Sequence, residues 1–225
     1  MIPVGDDRLH GAKPAIVNYL LLTANVLVFL YQVTMSPSAA QDFVNRWGTT
    51  PVQILQGNQW ITLLTSMFLH GGWLHLIGNM LFLWVFGDNI EATVGSFFYL
   101  IFYLAGGVAA TATHIFLNPQ SAVPSVGASG AISAVLGAYI VMFPRARVHA
   151  LVLFGFWAYM TRVSAILFLG IWFLTQLLSG VASLGVQTAQ TGGVAFWAHI
   201  GGFVFGFVMG FLMRGAAAVR RADYR

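Results

Sequence analysis

Six apolar segments follow one another along this chain of 225 residues, each bounded by glycine, proline or charged residues. The chain is 58% hydrophobic and 7% charged, whereas a soluble domain carries about 25% charged residues. Several segments reach the roughly 20 residues that an α-helix needs to cross a bilayer. They therefore predict an all-α membrane protein with six transmembrane helices, approximately at residues 15–35, 72–87, 96–117, 129–143, 164–182 and 196–213.

The ends of the chain predict no second domain. The first apolar segment is longer than the apolar core of a signal peptide, so it is expected to remain as a membrane span. The stretches before and after the spans are too short to enclose a core of their own. We therefore expect one membrane domain over residues 1–225, with a cytoplasmic head at 1–14, a six-helix core at 15–213 and a cytoplasmic tail at 214–225.

Three connections carry further expectations about the fold. Residues 36–71 hold tryptophans and scattered apolar residues, and they predict an interfacial insertion between helices one and two. The fourth segment is short, so the loop at 118–128 is expected to dip toward a water-filled cavity, since irregular backbone at that depth needs one. Residues 148–160 are apolar but lie between arginines, which predicts a hairpin or short helix on the inner face, or else a partial seventh span.

The basic residues indicate the orientation of the chain. An even number of spans leaves both termini on one side, and that side holds nine of the ten basic residues, with only Arg46 opposite. The positive-inside rule therefore predicts cytoplasmic termini. In this orientation His75, Ser129 and His199 each lie near the start of an inward-running span, at a similar depth below the outer surface. The nine basic residues are Arg8, Lys13, Arg145, Arg147, Arg162, Arg214, Arg220, Arg221 and Arg225.

Ser129 is the most unusual residue for a membrane segment. It begins the fourth span between Gly127 and Gly130, where backbone N–H groups at a helix start face any oxyanion formed there. On its own the pattern favours a helix-capping serine among small residues. Together with the histidines and the asparagine described next, it suggests a nucleophilic serine. It is not the Gly-x-Ser-x-Gly elbow of soluble hydrolases, because Ala131 occupies the last position.

His199 is the candidate base for Ser129. Gly202, Gly206 and Gly210 follow it at four-residue spacing, and Gly130, Ala134 and Ala138 form a matching stripe on the fourth span. Stripes of small residues let membrane helices pack closely. Close packing of these two spans would bring His199 within hydrogen-bond reach of Ser129. A histidine bonded at the outer interface is the alternative interpretation.

His75 and Asn79 share one face of the second span, because they are four residues apart. Both side chains can donate hydrogen bonds to an oxyanion, although they could equally serve as polar contacts between helices. A metal site at His70 and His75 is disfavoured, since no cysteine or carboxylate accompanies them. All six acids fall in predicted loops or tails, so the sequence favours a Ser-His dyad over a Ser-His-Asp triad. The other histidines, to which we assign no role, are His10, His114 and His149.

At these residues the chain resembles the rhomboid intramembrane serine proteases, from about residue 14 to 210. The motifs that carry the resemblance are His70-x4-His75-x3-Asn79, Phe86-Gly87-Asp88-Asn89-x-Glu91, Gly127-x-Ser129-Gly130 and Ala198-His199-x2-Gly202-x3-Gly206. The resemblance implies a bacterial-type, six-helix rhomboid-like bundle whose site opens outward from a bacterial inner membrane. It also implies Ser129 as nucleophile and His199 as base, with an oxyanion hole from His75, Asn79 and the Ser129 N–H. Gly127, Gly130 and His70 would support the site.

The resemblance implies an enzyme with no cofactor and no metal, acting within the lipid bilayer on single-span transmembrane proteins and not on nucleic acid. Two departures stand out. Many members carry an aromatic residue four positions after the nucleophile, where this chain has Ser133, so another side chain must orient His199. Arg46 and Trp47 also stand in the reverse of the family's order.

Two other classes of function remain open from the sequence. One is a catalytically inactive rhomboid-like binder of membrane segments, against which the presence of both serine and histidine argues. The other is a channel or transporter, which the apolar inner halves of the spans disfavour. For an active protease, the polar connection at 183–195 is expected to cap the site and move as a lid, with an ordinary surface loop as the alternative.

Overall fold

The computed structural model describes residues 1–7, 14–154, 157–183 and 194–222, which form a mostly helical bundle with a small sheet. All six segments predicted to be helical are helical. The helices are α1 (Ile16–Val33), α2 (Pro37–Trp47), α3 (Pro51–Leu55), α4 (Thr62–Thr65), α5 (Trp73–Val94), α6 (Ser96–Leu117), α7 (Ser129–Met142), α8 (Ala165–Ala182) and α9 (Phe196–Ala222), with a 3₁₀ turn at Ser66–Phe68. The strands are β1 (Ile2–Asp6), β2 (Arg147–Phe154) and β3 (Trp157–Ser164).

The helices make the chain a multi-pass membrane protein. Four of the described helices are long and apolar enough to cross a membrane. The count becomes five if Thr62–Phe68 and α5, which meet at 96°, are taken as one broken span. The remaining predicted span, the fourth, corresponds to α7, an apolar helix of only 14 residues, so the count of six spans stays a prediction. The four described helices that are long and apolar enough to cross a membrane are Ile16–Val33, Ser96–Leu117, Ala165–Ala182 and Phe196–Gly215.

Helix α7 forms the centre of the bundle. Twelve of its fourteen residues are buried, and it packs against α5, α6, α8 and α9. A helix that is apolar all round and enclosed by others needs no polar face. The enclosure of α7 by four other helices therefore accounts for its largely apolar sequence.

The small-residue stripes on α7 and α9 pack as the sequence predicts. A Cβ on Gly202 would overlap the carbonyl oxygen of Gly130, and a Cβ on Gly206 would overlap that of Ala134. One turn further along, a Cβ on Gly210 would stand 3.1 Å from Cα of Ala138. The two backbones are therefore close at three positions over about two turns of α9. At Gly202 and Gly206 only glycine permits this contact.

The acids Asp88 and Glu91 correct the sequence interpretation, which placed them in a loop. Helix α5 continues to Val94, and Gly95, with φ of 89°, makes the whole turn into α6. Glu91 is only 2% exposed. Its carboxylate accepts hydrogen bonds from the backbone N–H groups of Val17 at 3.0 Å and Asn18 at 2.7 Å, and from the Ser96 hydroxyl at 2.6 Å. These donors satisfy a charge that would otherwise be costly to bury.

Glu91 thereby caps another helix. The N-cap residue of α1, Ala15, has no side-chain acceptor of its own, and the carboxylate from α5 takes that role at the positive end of the helix dipole. Beside it, Gly87 leaves room for Asn18, whose amide donates to Leu83 O at 3.1 Å. The acidic motif thus fastens α1 to α5.

The segment after α7 forms a β-hairpin in its described residues, so the alternative of a partial seventh span is wrong. Strands β2 and β3 pair antiparallel from Arg147 and Ser164 onward. The head of the chain adds β1 beside β2, giving the order β1-β2-β3. Asp6, at the end of β1, accepts hydrogen bonds from the Asn89 amide at 2.8 Å and from the Tyr139 hydroxyl. The strand β1 is not among the elements predicted from the sequence.

The insertion between α1 and α5 consists of three short helices and the 3₁₀ turn rather than a span. It holds the loop that leads to Ser129, because Thr49 and Ser125 exchange both backbone hydrogen bonds at 3.0 and 2.8 Å. The N–H of Gly127 also donates to Ser66 O at 2.9 Å. The loop at 118–128 is therefore attached along its length to the insertion.

Some predictions concern residues outside the described ranges. Residues 184–193, the greater part of the predicted cap at 183–195, are among them. So are Arg8, His10, Lys13 and Arg225.

Candidate active site

A cavity of about 810 Å³ opens where the first turns of α5, α7 and α9 meet. Its lining contains the four residues predicted to carry chemistry, together with the glycines that flank Ser129. The loop before α7 and the start of the 3₁₀ turn complete the wall. The predicted site residues in the lining are His75, Asn79, Gly127, Ser129, Gly130 and His199.

Ser129 and His199 lie in direct contact. The Oγ atom of Ser129 is 2.8 Å from Nε2 of His199, across 70 residues of sequence. The N-cap position of α7 belongs to Ala128, which makes no side-chain cap, so the capping interpretation of Ser129 is wrong. Its hydroxyl points to the imidazole instead of to the helix backbone. The packing of Gly202 on Gly130, one turn beyond the two side chains, brings the helices close enough for this contact.

Gly127 separates the serine from His75. Its φ of +129° is a conformation that favours glycine. A Cβ on this residue would stand 2.8 Å from Nε2 of His75 and 3.6 Å from Oγ of Ser129. The space between hydroxyl and imidazole is open only because residue 127 has no side chain.

The backbone indicates which nitrogen of His75 carries the proton. The N–H of Gly71 donates to Nδ1 of His75 at 3.4 Å. In the neutral ring Nδ1 is then the acceptor, and Nε2 carries the hydrogen. His75 therefore presents a donor on the side of Gly127.

The side chain of Asn79 is hydrogen-bonded to the ring of His70. Its Nδ2 lies 3.0 Å from Nε2 of His70, and an amide nitrogen can only donate. This bond uses one of the two side-chain N–H groups of Asn79, a residue that also lines the cavity. His70 is 2% exposed. Its backbone is held by Gln32, whose Oε1 accepts a hydrogen bond from the backbone N–H of His70 at 3.1 Å.

Ser133, where the family often has an aromatic residue, does not touch the imidazole. Its hydroxyl donates to Ser129 O at 2.6 Å, within α7. The Nδ1 atom of His199 instead lies 2.8 Å from Oε1 of Gln176 on α8. The ring also faces Trp172, with centroids 6.1 Å apart. Sequence reasoning missed Gln176, and the only signal for it was a glutamine among the few polar residues of a mostly apolar helix.

Two other described histidines, His114 and His149, lie outside the cavity lining. His114 is buried on α6 with Nδ1 3.4 Å from the Asn118 amide, and His149 on β2 lies 3.7 Å from Asp7. Among the described residues, no group of three or more histidine, aspartate or glutamate side chains is placed to hold a metal ion. The polar side chains in the described cavity lining are hydroxyls, including that of Ser129, the imidazoles of His75 and His199, and the amide of Asn79.

Comparison with known proteins identifies the family of this chain. A family model described as the Rhomboid domain matches residues 57–216, which is well over half of the chain. The chain belongs to the rhomboid family. This rhomboid is 32% identical over 131 residues to "Rhomboid protease GluP" of Bacillus subtilis (strain 168), covering 58% of this chain and 25% of that protein.

Two further relatives come from mitochondria. The rhomboid is 29% identical over 161 residues to "RHOMBOID-like protein 6, mitochondrial" of Arabidopsis thaliana, covering 72% of this chain and 46% of the relative. It is 30% identical over 136 residues to "Presenilin-associated rhomboid-like protein, mitochondrial" of Bos taurus, covering 59% and 34%. The chain therefore spans between a quarter and a half of the length of these relatives.

Proposed function

We propose that this rhomboid is an intramembrane serine endopeptidase that cleaves transmembrane segments with a dyad of Ser129 and His199. The observation that carries the proposal is the 2.8 Å contact between Ser129 Oγ and His199 Nε2 inside a cavity lined by helix ends. A hydroxyl bonded to an unprotonated imidazole nitrogen is the arrangement that makes serine a nucleophile. Family membership adds support, because one relative is named a rhomboid protease.

In the proposed reaction the Ser129 hydroxyl attacks the carbonyl carbon of the scissile peptide, and His199 Nε2 takes the hydroxyl proton. His199 then gives this proton to the leaving amine as the C–N bond breaks, which leaves an acyl group on Ser129. Water attacks the acyl carbon while His199 takes a proton from the water. His199 then returns this proton to Oγ of Ser129 as the ester bond breaks, which releases the new carboxyl terminus and restores the Ser129 hydroxyl. These steps follow the general logic of serine hydrolysis.

The tetrahedral oxyanion would be stabilised by His75, Asn79 and the N–H of Ser129. Nε2 of His75 and Oγ of Ser129 both lie within 3.6 Å of the point where a Cβ on Gly127 would stand, so a carbonyl oxygen there would face donor and nucleophile together. The Ser129 N–H belongs to the first turn of α7, where no intrahelical carbonyl competes for it. Such prearranged donors are usually the largest contribution to catalysis of this type.

We further propose the setting of the reaction. Residues 1–225 act as one membrane domain with a core at 15–213, both termini in the cytoplasm and the cavity open to the external side. The substrates are single-span membrane proteins, and a bacterial inner membrane is the proposed location. The cavity enclosed by helix starts supports this setting, since peptide hydrolysis needs water that the bilayer itself excludes.

The test uses purified full-length protein in liposomes with a fluorescent single-span substrate, and a fluorophosphonate probe for nucleophilic serines. We expect both cleavage and labelling in the wild type and in Ser38→Ala, which removes an exposed serine on α2. Ser129→Ala and His199→Ala should each lose cleavage, and the double variant should be no worse, because the two act as a unit.

The outcome separates enzyme from binder. Continued cleavage by folded Ser129→Ala would contradict the assignment of the nucleophile. Wild-type protein that binds the substrate but neither cleaves it nor reacts with the probe would be the inactive membrane-segment binder instead.

A further inference from the structure

We propose that Gln176 is a positioning residue that fixes the ring of His199 in the one neutral form able to act as a base toward Ser129. The inference rests on the proposed function and assigns a third side chain to the same site. It also answers how His199 is oriented in a chain whose α7 carries Ser133 in place of an aromatic residue.

The direction of each hydrogen bond follows from its neighbour. The Thr175 hydroxyl donates to Trp172 O at 2.6 Å, which leaves its oxygen as the acceptor for Gln176 Nε2 at 3.3 Å. The Gln176 amide is thereby turned with Oε1 toward His199, 2.8 Å from Nδ1. An amide oxygen only accepts, so Nδ1 must carry the hydrogen.

This fixes the opposite nitrogen. With the hydrogen of the neutral ring on Nδ1, the lone pair on Nε2 faces Ser129 Oγ at 2.8 Å and is free to take its proton. The other tautomer would direct an N–H at the hydroxyl and leave Gln176 Oε1 opposite a second lone pair. The bond to Gln176 therefore selects the reactive form.

The aromatic neighbours of His199 hold its plane but do not make this selection. Trp172 lies 6.1 Å away at 35° and Phe196 meets the ring edge-on at 6.5 Å. Neither side chain offers a hydrogen-bond acceptor in the plane of the imidazole, since the indole N–H is a donor only. The described cavity lining also contains no carboxylate that would take the place of a triad aspartate.

A polar side chain such as that of Gln176 is energetically unfavourable on an apolar helix such as α8 unless it has a hydrogen-bonding partner within the protein. Helix α8 is the most apolar of the four helical candidate spans, and only 22% of its residues are buried. Most of its surface therefore faces the surroundings of the bundle. A glutamine there needs partners inside the protein. Its side chain is half-buried and turned to α9, where aromatic stacking of Phe173 on Phe203, with centroids 4.4 Å apart, holds the two helices together.

The neutral amide also suits a cycle in which the imidazole gains and loses a proton. When His199 takes the serine proton it becomes a cation, and the Nδ1–H···Oε1 bond becomes charge-assisted and stronger. A carboxylate would stabilise that cation more, but it would place an unpaired charge in the membrane in the resting state.

The experiment compares Gln176→Met, which keeps length and removes the acceptor, with Gln176→Glu, which restores an acceptor. Leu178→Met, at an exposed position of the same helix, is the matched control. Each protein is tested for kcat and KM on the transmembrane substrate and for its rate of fluorophosphonate labelling. The tautomer of His199 is read from ¹⁵N shifts of histidine-labelled protein.

We expect Gln176→Met to lose about 10²-fold in kcat and in labelling rate, the scale of general acid–base catalysis, with little change in KM. Its His199 signals should change from the pure Nδ1–H form to a mixture. Gln176→Glu should recover the Nδ1–H form and part of kcat, and Leu178→Met should match the wild type.

Three results would overturn the inference. One is full kcat in Gln176→Met when Ser129→Ala is inactive. Another is an unchanged Nδ1–H tautomer in that variant, whatever its activity, since loss of rate alone would then reflect altered packing of α8. A wild-type ring without the Nδ1–H form is the third. The tautomer is measurable in protein that shows no proteolysis, so failure of the proposed function and failure of this inference are distinguishable.

Discussion

Gly206 of α9 lies directly on the backbone carbonyl of Ala134 in α7, in a contact that leaves no room for even a methyl group. The contact is one turn beyond the place where Gly202 meets Gly130. It lies five residues after Ser129 in α7 and seven residues after His199 in α9. The separation of these two helix backbones therefore determines whether the hydroxyl and the imidazole reach one another.

Substituting Gly206 should separate the two helices. A Cβ in Gly206→Ala would overlap backbone atoms of Ala134, which cannot move without shifting the whole helix. We expect a loss of about 1–3 kcal/mol in stability, the usual cost of overpacking, and a large fall in serine labelling. Gly78→Ala on α5, where a Cβ would have open space, should change neither. Normal labelling in folded Gly206→Ala would contradict the role of this contact.

Substituting Gly127 should remove activity without moving the helices. A Cβ would stand between Nε2 of His75 and Oγ of Ser129 and would force a strained positive φ. We expect Gly127→Ala to fold with a small loss of stability and to lose at least about 10²-fold in kcat/KM, the cost of a lost oxyanion donor. Gly170→Ala on α8 has open space and is the control. Wild-type kcat/KM in Gly127→Ala would show that this space is not the oxyanion site.

Removing the Asn79 amide should slow catalysis and leave the nucleophile in place. Losing one oxyanion donor typically costs about 10²–10³-fold in rate, so Asn79→Ala should lower kcat by that order while Ser129 still reacts with a fluorophosphonate. Asn45→Ala, an exposed asparagine on α2, should have no effect. An Asn79→Ala protein with unaltered kcat/KM would exclude Asn79 from the oxyanion hole.

Neutralising Glu91 should weaken the fold rather than the chemistry. Its carboxylate accepts three hydrogen bonds, two of them from the first turn of α1, and hydrogen bonds to charged groups are worth about 1.5–3 kcal/mol each. We expect Glu91→Gln to lower the unfolding temperature in detergent. Asp42→Asn, which likewise replaces a carboxylate with an amide but at an exposed position, should leave the unfolding temperature unchanged. Equal unfolding temperatures would show that the cap of α1 contributes nothing to stability.

The orientation is tested by reporters at the two predicted surfaces. A reporter fused after Arg225 should be active in the cytoplasm, and a small tag within 118–125 should be accessible from outside, because the basic residues collect on the side of the termini. A tag that is protected from outside while the reporter reads external would place the cavity on the opposite face.

The six helices, and the packing of α7 on α9, follow from the sequence alone. Long apolar segments form helices in a bilayer, because a helix satisfies its own backbone hydrogen bonds. Small residues at four-residue spacing lie on one face of a helix and make that face suitable for close packing. The same two patterns predict Ser129 and His199 at one end of that helix pair, and the structure brings them to 2.8 Å. These inferences use periodicity within a segment, which is a local property of the chain.

Other features depended on the tertiary structure, because contacts between distant elements depend on helix rotation and on which side chains have unmet hydrogen bonds. The sequence places Glu91 in a loop, although it belongs to a motif of the resemblance, and does not indicate that it caps α1 across more than 70 residues. The strand at Ile2–Asp6 has no periodicity of its own and forms because β2 offers an edge. Gln176 meets His199 only through the rotation of α8 about its axis, which an all-round apolar pattern leaves unspecified.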